Sequence, residues 1–102
     1  ESGFAGINHA CEFETSLMLL AAPDSVRREL VSGMSYVETY DWANADMILP
    51  ARGALFRSMK DMSGGTGVVG DPSSASAAKG ERITAAVVDQ LAHVVETLAR
   101  TP

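Results

Sequence analysis

Apolar residues fall into two helical stripes, one near each end of the chain. Phe13, Leu17, Leu20 and Ala21 recur at helical spacing and predict a helix over Glu12 to Ala21, with Pro23 marking its end. Ile83, Val87, Leu91, Val94, Val95 and Leu98 draw a longer stripe, while Asp89, His93, Glu96 and Arg100 fall on the opposite side. This second pattern predicts a helix capped by Asp71, with Pro72 in its first position, running to about Ala99. His93 then reads as a solvated surface histidine. Gly80 inside that helix costs about 1 kcal/mol relative to alanine, so something is expected to pack closely against it.

The middle is less regular. Val26 and Leu30 form an i, i+4 apolar pair and predict a short helix over Asp24 to Val31, closed by Gly33. Met34 to Tyr40, with Tyr36, Val37 and Thr39, has strand composition, and Met47-Ile48-Leu49 reads as a short apolar strand closed by Pro50. Asp41-Trp42-Ala43-Asn44 reads as a turn and Glu1 to Asn8 as a loop. Ala51 to Met62 is helix or loop, with Leu55, Phe56 and Met59 as its buried contacts. Ser63-Gly64-Gly65-Thr66-Gly67 reads as a flexible connector. The residues alone support an α/β chain with two good helices.

Composition narrows the class. The chain has 102 residues, of which 46% are hydrophobic, which fits one small globular domain and not a disordered segment. The longest apolar run, Leu17 to Ala22, is far short of the roughly 20 residues a bilayer requires. A formal net charge of −5 and no basic cluster beyond Arg27-Arg28 give no footprint for nucleic acid or an anionic membrane. The single cysteine, Cys11, excludes an intrachain disulfide framework and agrees with a reducing, cytoplasmic setting.

Chemistry is concentrated in Asn8-His9-Ala10-Cys11-Glu12-Phe13-Glu14-Thr15-Ser16-Leu17-Met18. Each helical residue turns about 100°, so in a helix starting at His9 the Glu14 side chain would lie about 140° away. His9 and Glu14 can converge only if His9 sits in the loop ahead of the helix. Glu12 and Glu14 also suit the positive end of the helix dipole, which alone would explain an acidic helix start. Cys11 beside a helix N-terminus and a histidine is a possible nucleophile, although a packed thiol explains it as well.

His9-Ala10-Cys11-Glu12-Phe13-Glu14-Thr15-Ser16 resembles the His-Ala-Gly-Glu-x-Glu-Thr-Ser signature of the creatininase (creatinine amidohydrolase) family, with Cys11 where that family commonly has glycine. Gly67-Val68-Val69-Gly70-Asp71-Pro72-Ser73, followed by Ala75, Ala77 and Lys79-Gly80-Glu81, resembles the family's Gly-x-x-Gly-Asp-Pro-Thr segment before its last helix. The two segments come in the family's order and spacing. The resemblance implies a creatininase-like layered α/β fold around a mostly parallel sheet, of which residues 1–102 would be the C-terminal part of a single domain. It also implies a hexameric homo-oligomer and hydrolysis of a non-peptide C–N bond, in a cyclic amide, linear amide or formamide. Two divalent metal ions, Zn²⁺ or Mn²⁺, would activate the water.

By motif position His9 would be the proton-transferring catalytic residue, and Glu14 would orient it or ligate a metal. Glu12 is the weaker candidate. The family's other metal ligands come mainly from an N-terminal half whose Glu-x-His, Asp and Asn-Gly-His motifs are not found in these residues. A companion chain or separate N-terminal segment is therefore expected as partner. Ala5-Gly6-Ile7-Asn8 stands where creatininase itself carries a substrate-holding Trp-Asp-x-Glu run, so the expected substrate is a small amide and not specifically creatinine.

Two rival readings belong to other classes. One is a non-catalytic structural subunit or pseudoenzyme half; the other is a small-molecule-binding module using Trp42, Tyr36 and Tyr40. Gly65-Thr66-Gly67-Val68-Val69-Gly70 spells a dinucleotide fingerprint but lacks the preceding buried strand and the acid that should follow about 20 residues later. Ser76-Ala77-Ala78-Lys79 matches Ser-x-x-Lys without its companion motifs, and small residues at a helix start explain it better.

Overall fold

The computed structural model describes residues 7–31, 40, 42–43, 46–48, 52–53 and 57–101. Three α-helices order them: α1 over Glu12–Ala21, α2 over Met59–Met62 and α3 over Ala77–Arg100. Helix α1 has the bounds its apolar periodicity predicts. It stops at Ala21 because Ala22 leaves helical geometry, donates its N–H to the Met18 carbonyl at 2.8 Å, and leads into Pro23.

The expected helix over Asp24 to Val31 forms instead as two separate 3₁₀ turns, Pro23–Ser25 and Arg28–Leu30. Val26 between them is extended, and its N–H closes the first turn on the Pro23 carbonyl. Asp71 does cap a turn, accepting the Ser73 N–H at 2.9 Å, but the turn is the 3₁₀ segment Pro72–Ser74. Helix α3 starts later, with the Ser76 hydroxyl accepting the Lys79 N–H at 3.2 Å as its cap.

The α/β architecture with a mostly parallel sheet is not what forms: among the described residues there is no strand. Tyr40 and Ala43 make one isolated antiparallel bridge. In the candidate strand beginning at Met47, the Ile48 N–H turns back onto Asp46 Oδ1 at 2.7 Å, which bends the backbone out of extended geometry. Met47 and Ile48 are 76% and 67% exposed, whereas a parallel sheet needs strands covered on both faces. The remainder of the first strand prediction, residues 34–39, lies outside the described residues, as do Gly33, Asp41, Asn44, Leu49, Pro50, Ala51, Leu55, Phe56 and residues 1–6.

The connector is ordered by its own polar groups. Ser63 is buried, its hydroxyl accepts the Gly67 N–H at 3.0 Å, and its carbonyl accepts the Thr66 hydroxyl at 2.7 Å. Gly64 and Gly65 have φ of 58° and 85°, values that glycine adopts without a Cβ penalty.

The core lies where α1 meets the segment from Val69 to Gly80. Cys11, Leu19 and Val69 are buried there together with Glu12 and Ser16. Among the described residues every buried side-chain N or O has a hydrogen-bond partner. Gly80 is the contact expected of it: a Cβ built there would come 2.3 Å from the Ser16 carbonyl oxygen and 3.0 Å from Leu20 Cβ. The rest of α3 leaves this core. From Thr84 to Arg100 every residue is exposed, including Val87, Val88, Leu91, Val94, Val95 and Leu98. No helix among the described residues is long and apolar enough to cross a membrane.

Gly80→Ala tests this packing, because alanine gains about 1 kcal/mol of helix propensity yet must push two backbones apart. Overpacking of this kind costs typically about 1–3 kcal/mol, so a net loss of stability is expected in urea or thermal unfolding. An unchanged or raised midpoint would show that the helices separate freely at this point.

Candidate functional site

His9 and Ala10 form a turn ahead of α1, so the condition for His9 and Glu14 to converge is met. Backbone bonds fix His9 on both sides. Its N–H donates to Asn8 Oδ1 at 2.7 Å, and its carbonyl accepts the Val69 N–H at 2.8 Å. The imidazole is exposed and has no hydrogen-bond partner among the described residues. Ala10 takes φ 52°, a left-handed conformation that costs a residue with a Cβ roughly 1–2 kcal/mol.

Glu14 compensates that turn. It is the third residue of α1, and its Oε2 accepts the Ala10 N–H just ahead of the helix, while Cys11 at the N-cap gives no side-chain cap. The arrangement is a capping box displaced by one residue. The Cys11-x-x-Glu14 spacing carried this signal in the sequence, and the dipole reading captured only its charge. With Oε2 engaged, Oε1 is left for another ligand.

His9 and Glu14 line one open pocket of about 200 Å³. Met18 and Val26 form its apolar walls, and Thr15 and Ser25 add hydroxyls. A volume below the roughly 300–1,000 Å³ of drug-sized sites suits a small ligand.

Glu12 belongs to a different place. It is buried and pairs with the Lys79 ammonium, which also donates to the Ser74 carbonyl at 2.6 Å. The direct hydrogen bond to Glu12 raises the Lys79 pKa above its ordinary 10.5. Ser16, also buried, accepts the Ser76 N–H on its hydroxyl at 3.1 Å. Lys79, Ser76 and Val69 were missed as partners of the first motif; periodicity is blind to contacts between residues 60 or more positions apart.

The remaining candidates separate clearly. Cys11 is a buried free thiol, which agrees with a packing role. His93 is exposed on α3 in an open cleft with Asp89 and Glu96, and Glu96 pairs with Arg100 at 3.3 Å. Tyr40 and Trp42 stack with ring centroids 5.4 Å apart, and the Arg57 guanidinium lies 5.8 Å from the Tyr40 centroid. Tyr36, the third aromatic of the binding-module reading, lies outside the described residues. The dinucleotide-like glycine loop spends its Gly67 and Val69 amides on Ser63 and His9, so they do not form a phosphate cradle.

The two motifs therefore lie against each other through Val69 to His9, Ser76 to Ser16, and Lys79 to Glu12. A sequence model for creatininase, described as creatinine amidohydrolase, matches residues 2–95. The chain belongs to the creatininase family. Neither a curated protein nor a solved structure matches it.

As a metal site the creatininase motif is incomplete here. Zn²⁺ takes three or four N, S or O ligands, and among the described residues no three His, Cys, Asp or Glu side chains gather in a way that could hold an ion. His9 and Glu14 alone do not fit a closed divalent-metal shell.

The pH response of the Glu12–Lys79 pair has a definite sign. Folding raises the Lys79 pKa, so the pair's stabilisation is present in full below pH 10.5 and lost as pH climbs through the higher folded value. The melting temperature of the parent is expected to fall more steeply than that of Lys79→Met above about pH 10.5. Parallel melting curves for the two proteins across that range would remove Lys79 as the titrating group.

Proposed function

We propose that the pocket holding His9 and Glu14 is this chain's contribution to a creatininase-type amidohydrolase site acting on a small cyclic amide, linear amide or formamide. One observation carries the reading: an exposed imidazole, fixed through its backbone in the loop ahead of α1, shares a small pocket with a carboxylate of the helix's first turn. Hydrolysis of an amide requires a proton for the departing nitrogen, and an imidazole can both take and give one. On this reading His9 is that group. Glu14, which lines the same pocket and is held by the Ala10 amide through one oxygen, would orient the imidazole or serve as one metal ligand.

A divalent ion bound there would supply an activated water and polarise the carbonyl. Its other ligands would come from a companion chain or an N-terminal segment. The exposed apolar face of α3 supports such a companion, because six large aliphatic residues in water favour burial against another surface. That same face supports the second reading, a structural half without chemistry of its own.

His9→Ala separates the readings. Loss of a proton-transfer group is expected to lower turnover by about 10²–10⁴ while metal content stays near that of the parent. The measurement is hydrolysis of a panel of creatinine, small lactams and formamides by the chain with its companion, alongside metal analysis and melting temperature. Full turnover with a lowered melting temperature would make His9 a structural residue.

Glu14→Gln keeps an acceptor for the Ala10 amide but removes the charge. It should weaken metal retention or turnover with little loss of stability, whereas His93→Ala should alter neither. Equal effects from the two substitutions would dissolve the site assignment.

A further inference from the structure

The His9 loop has no helix or strand of its own to hold it; the Met47 N–H donates to the Ile7 carbonyl at 2.7 Å, and at His9 itself the loop leans on the downstream segment from Val69 to Lys79. Val69 is 1% exposed and donates its N–H to the His9 carbonyl at 2.8 Å. Five residues later the Ser74 carbonyl accepts from the Lys79 ammonium at 2.6 Å, and the same ammonium pairs with Glu12, the first residue of α1. One cation thus ties the end of the loop carrying Val69 to the start of the helix that follows His9. We propose that Lys79 is a positioning residue: through Glu12 and Ser74 it holds the Val69 amide on the His9 carbonyl and so fixes where the imidazole stands. This deepens the proposed function, and its catalytic consequence rests on that reading of His9.

A purely structural Lys79 would stabilise α1 against α3 without any particular effect at His9. Ser76 supplies the comparison. Its hydroxyl caps α3, but its contact with Ser16 runs through the backbone N–H, which alanine retains. Ser76→Ala therefore weakens the start of α3 and leaves both the Lys79 tie and the Val69 bond intact.

The test is amide hydrogen exchange by NMR on the full chain, read at Val69 and compared among the parent, Lys79→Met, Lys79→Arg and Ser76→Ala. Exchange at Val69 is expected to rise about tenfold or more in Lys79→Met, to return most of the way in Lys79→Arg, and to stay near the parent rate in Ser76→Ala at a comparable loss of melting temperature. Should Lys79→Met not fold, Glu12→Gln breaks the charged half of the tie and is expected to raise Val69 exchange in the same direction. Unchanged Val69 exchange in the folded Lys79 or Glu12 variant would overturn the proposal, as would an equal rise in Ser76→Ala. Exchange is independent of turnover, so inactivity of the parent toward the amide panel would count against the catalytic reading of His9 while leaving the positioning result to stand or fall alone.

Discussion

Two backbones meet at Gly80, and the described structure depends on that approach. Only a residue without a Cβ can bring the first turns of α3 onto the Ser16 carbonyl, as the 2.3 Å clearance shows. The approach in turn sets the position of everything polar around it. Ser16 sits close enough for its hydroxyl to take the Ser76 N–H, an amide ahead of a helix with no partner inside it. Lys79, one residue before the glycine, reaches Glu12, so a buried carboxylate that would be costly alone is paired and hydrogen-bonded. Glycine's loss of helix propensity is outweighed by contacts that no larger residue permits.

This arrangement divides the first motif between two tasks. Glu12 and Ser16 point into the interface with α3 and satisfy buried groups there, while His9 and Glu14 face an open pocket. The division follows from helical geometry, since Glu12 and Ser16 are four residues apart on one face and Glu14 lies two positions around from Glu12. A carboxylate in a signature segment is thus no guide to chemistry by its letter. Its direction decides, and here the direction comes from a helix about 65 residues downstream.

Helix α1 was legible because its periodicity, first-turn acids and terminal proline all agree, and α3 was legible in its body for the same reason. Gly80 announced its close contact because a helix former would otherwise be preferred. The start of α3 was misplaced: Asp71-Pro72 and Ser76 are both good starting signals, and the intervening residues turn as 3₁₀ before the second cap takes over. The absence of a strand among the described residues was not legible, since apolar residues such as Met47 and Ile48 read as a strand by composition alone. At the site, the pairing of His9 with Glu14 was conditional on a loop, which spacing could state but not decide. The partners from Val69 to Lys79 required the tertiary contact itself.

The same geometry makes the site and the far end of α3 separable in energy. Beyond Ile83 every residue of the helix is exposed, so its apolar stripe contributes little burial to the core that holds His9. A helical segment of that length has little stability by itself, because nucleation is costly and propagation adds little per residue. What keeps it helical is continuity with the turn at Ala77–Gly80, which is packed and capped. Among the described residues, the turn that carries Lys79 and Gly80 links Val87 to Leu98 with the His9 loop. That turn is at once the root of the exposed helix and the anchor of the pocket, so covering the stripe would stiffen the root and, through it, the backbone bond that fixes the histidine.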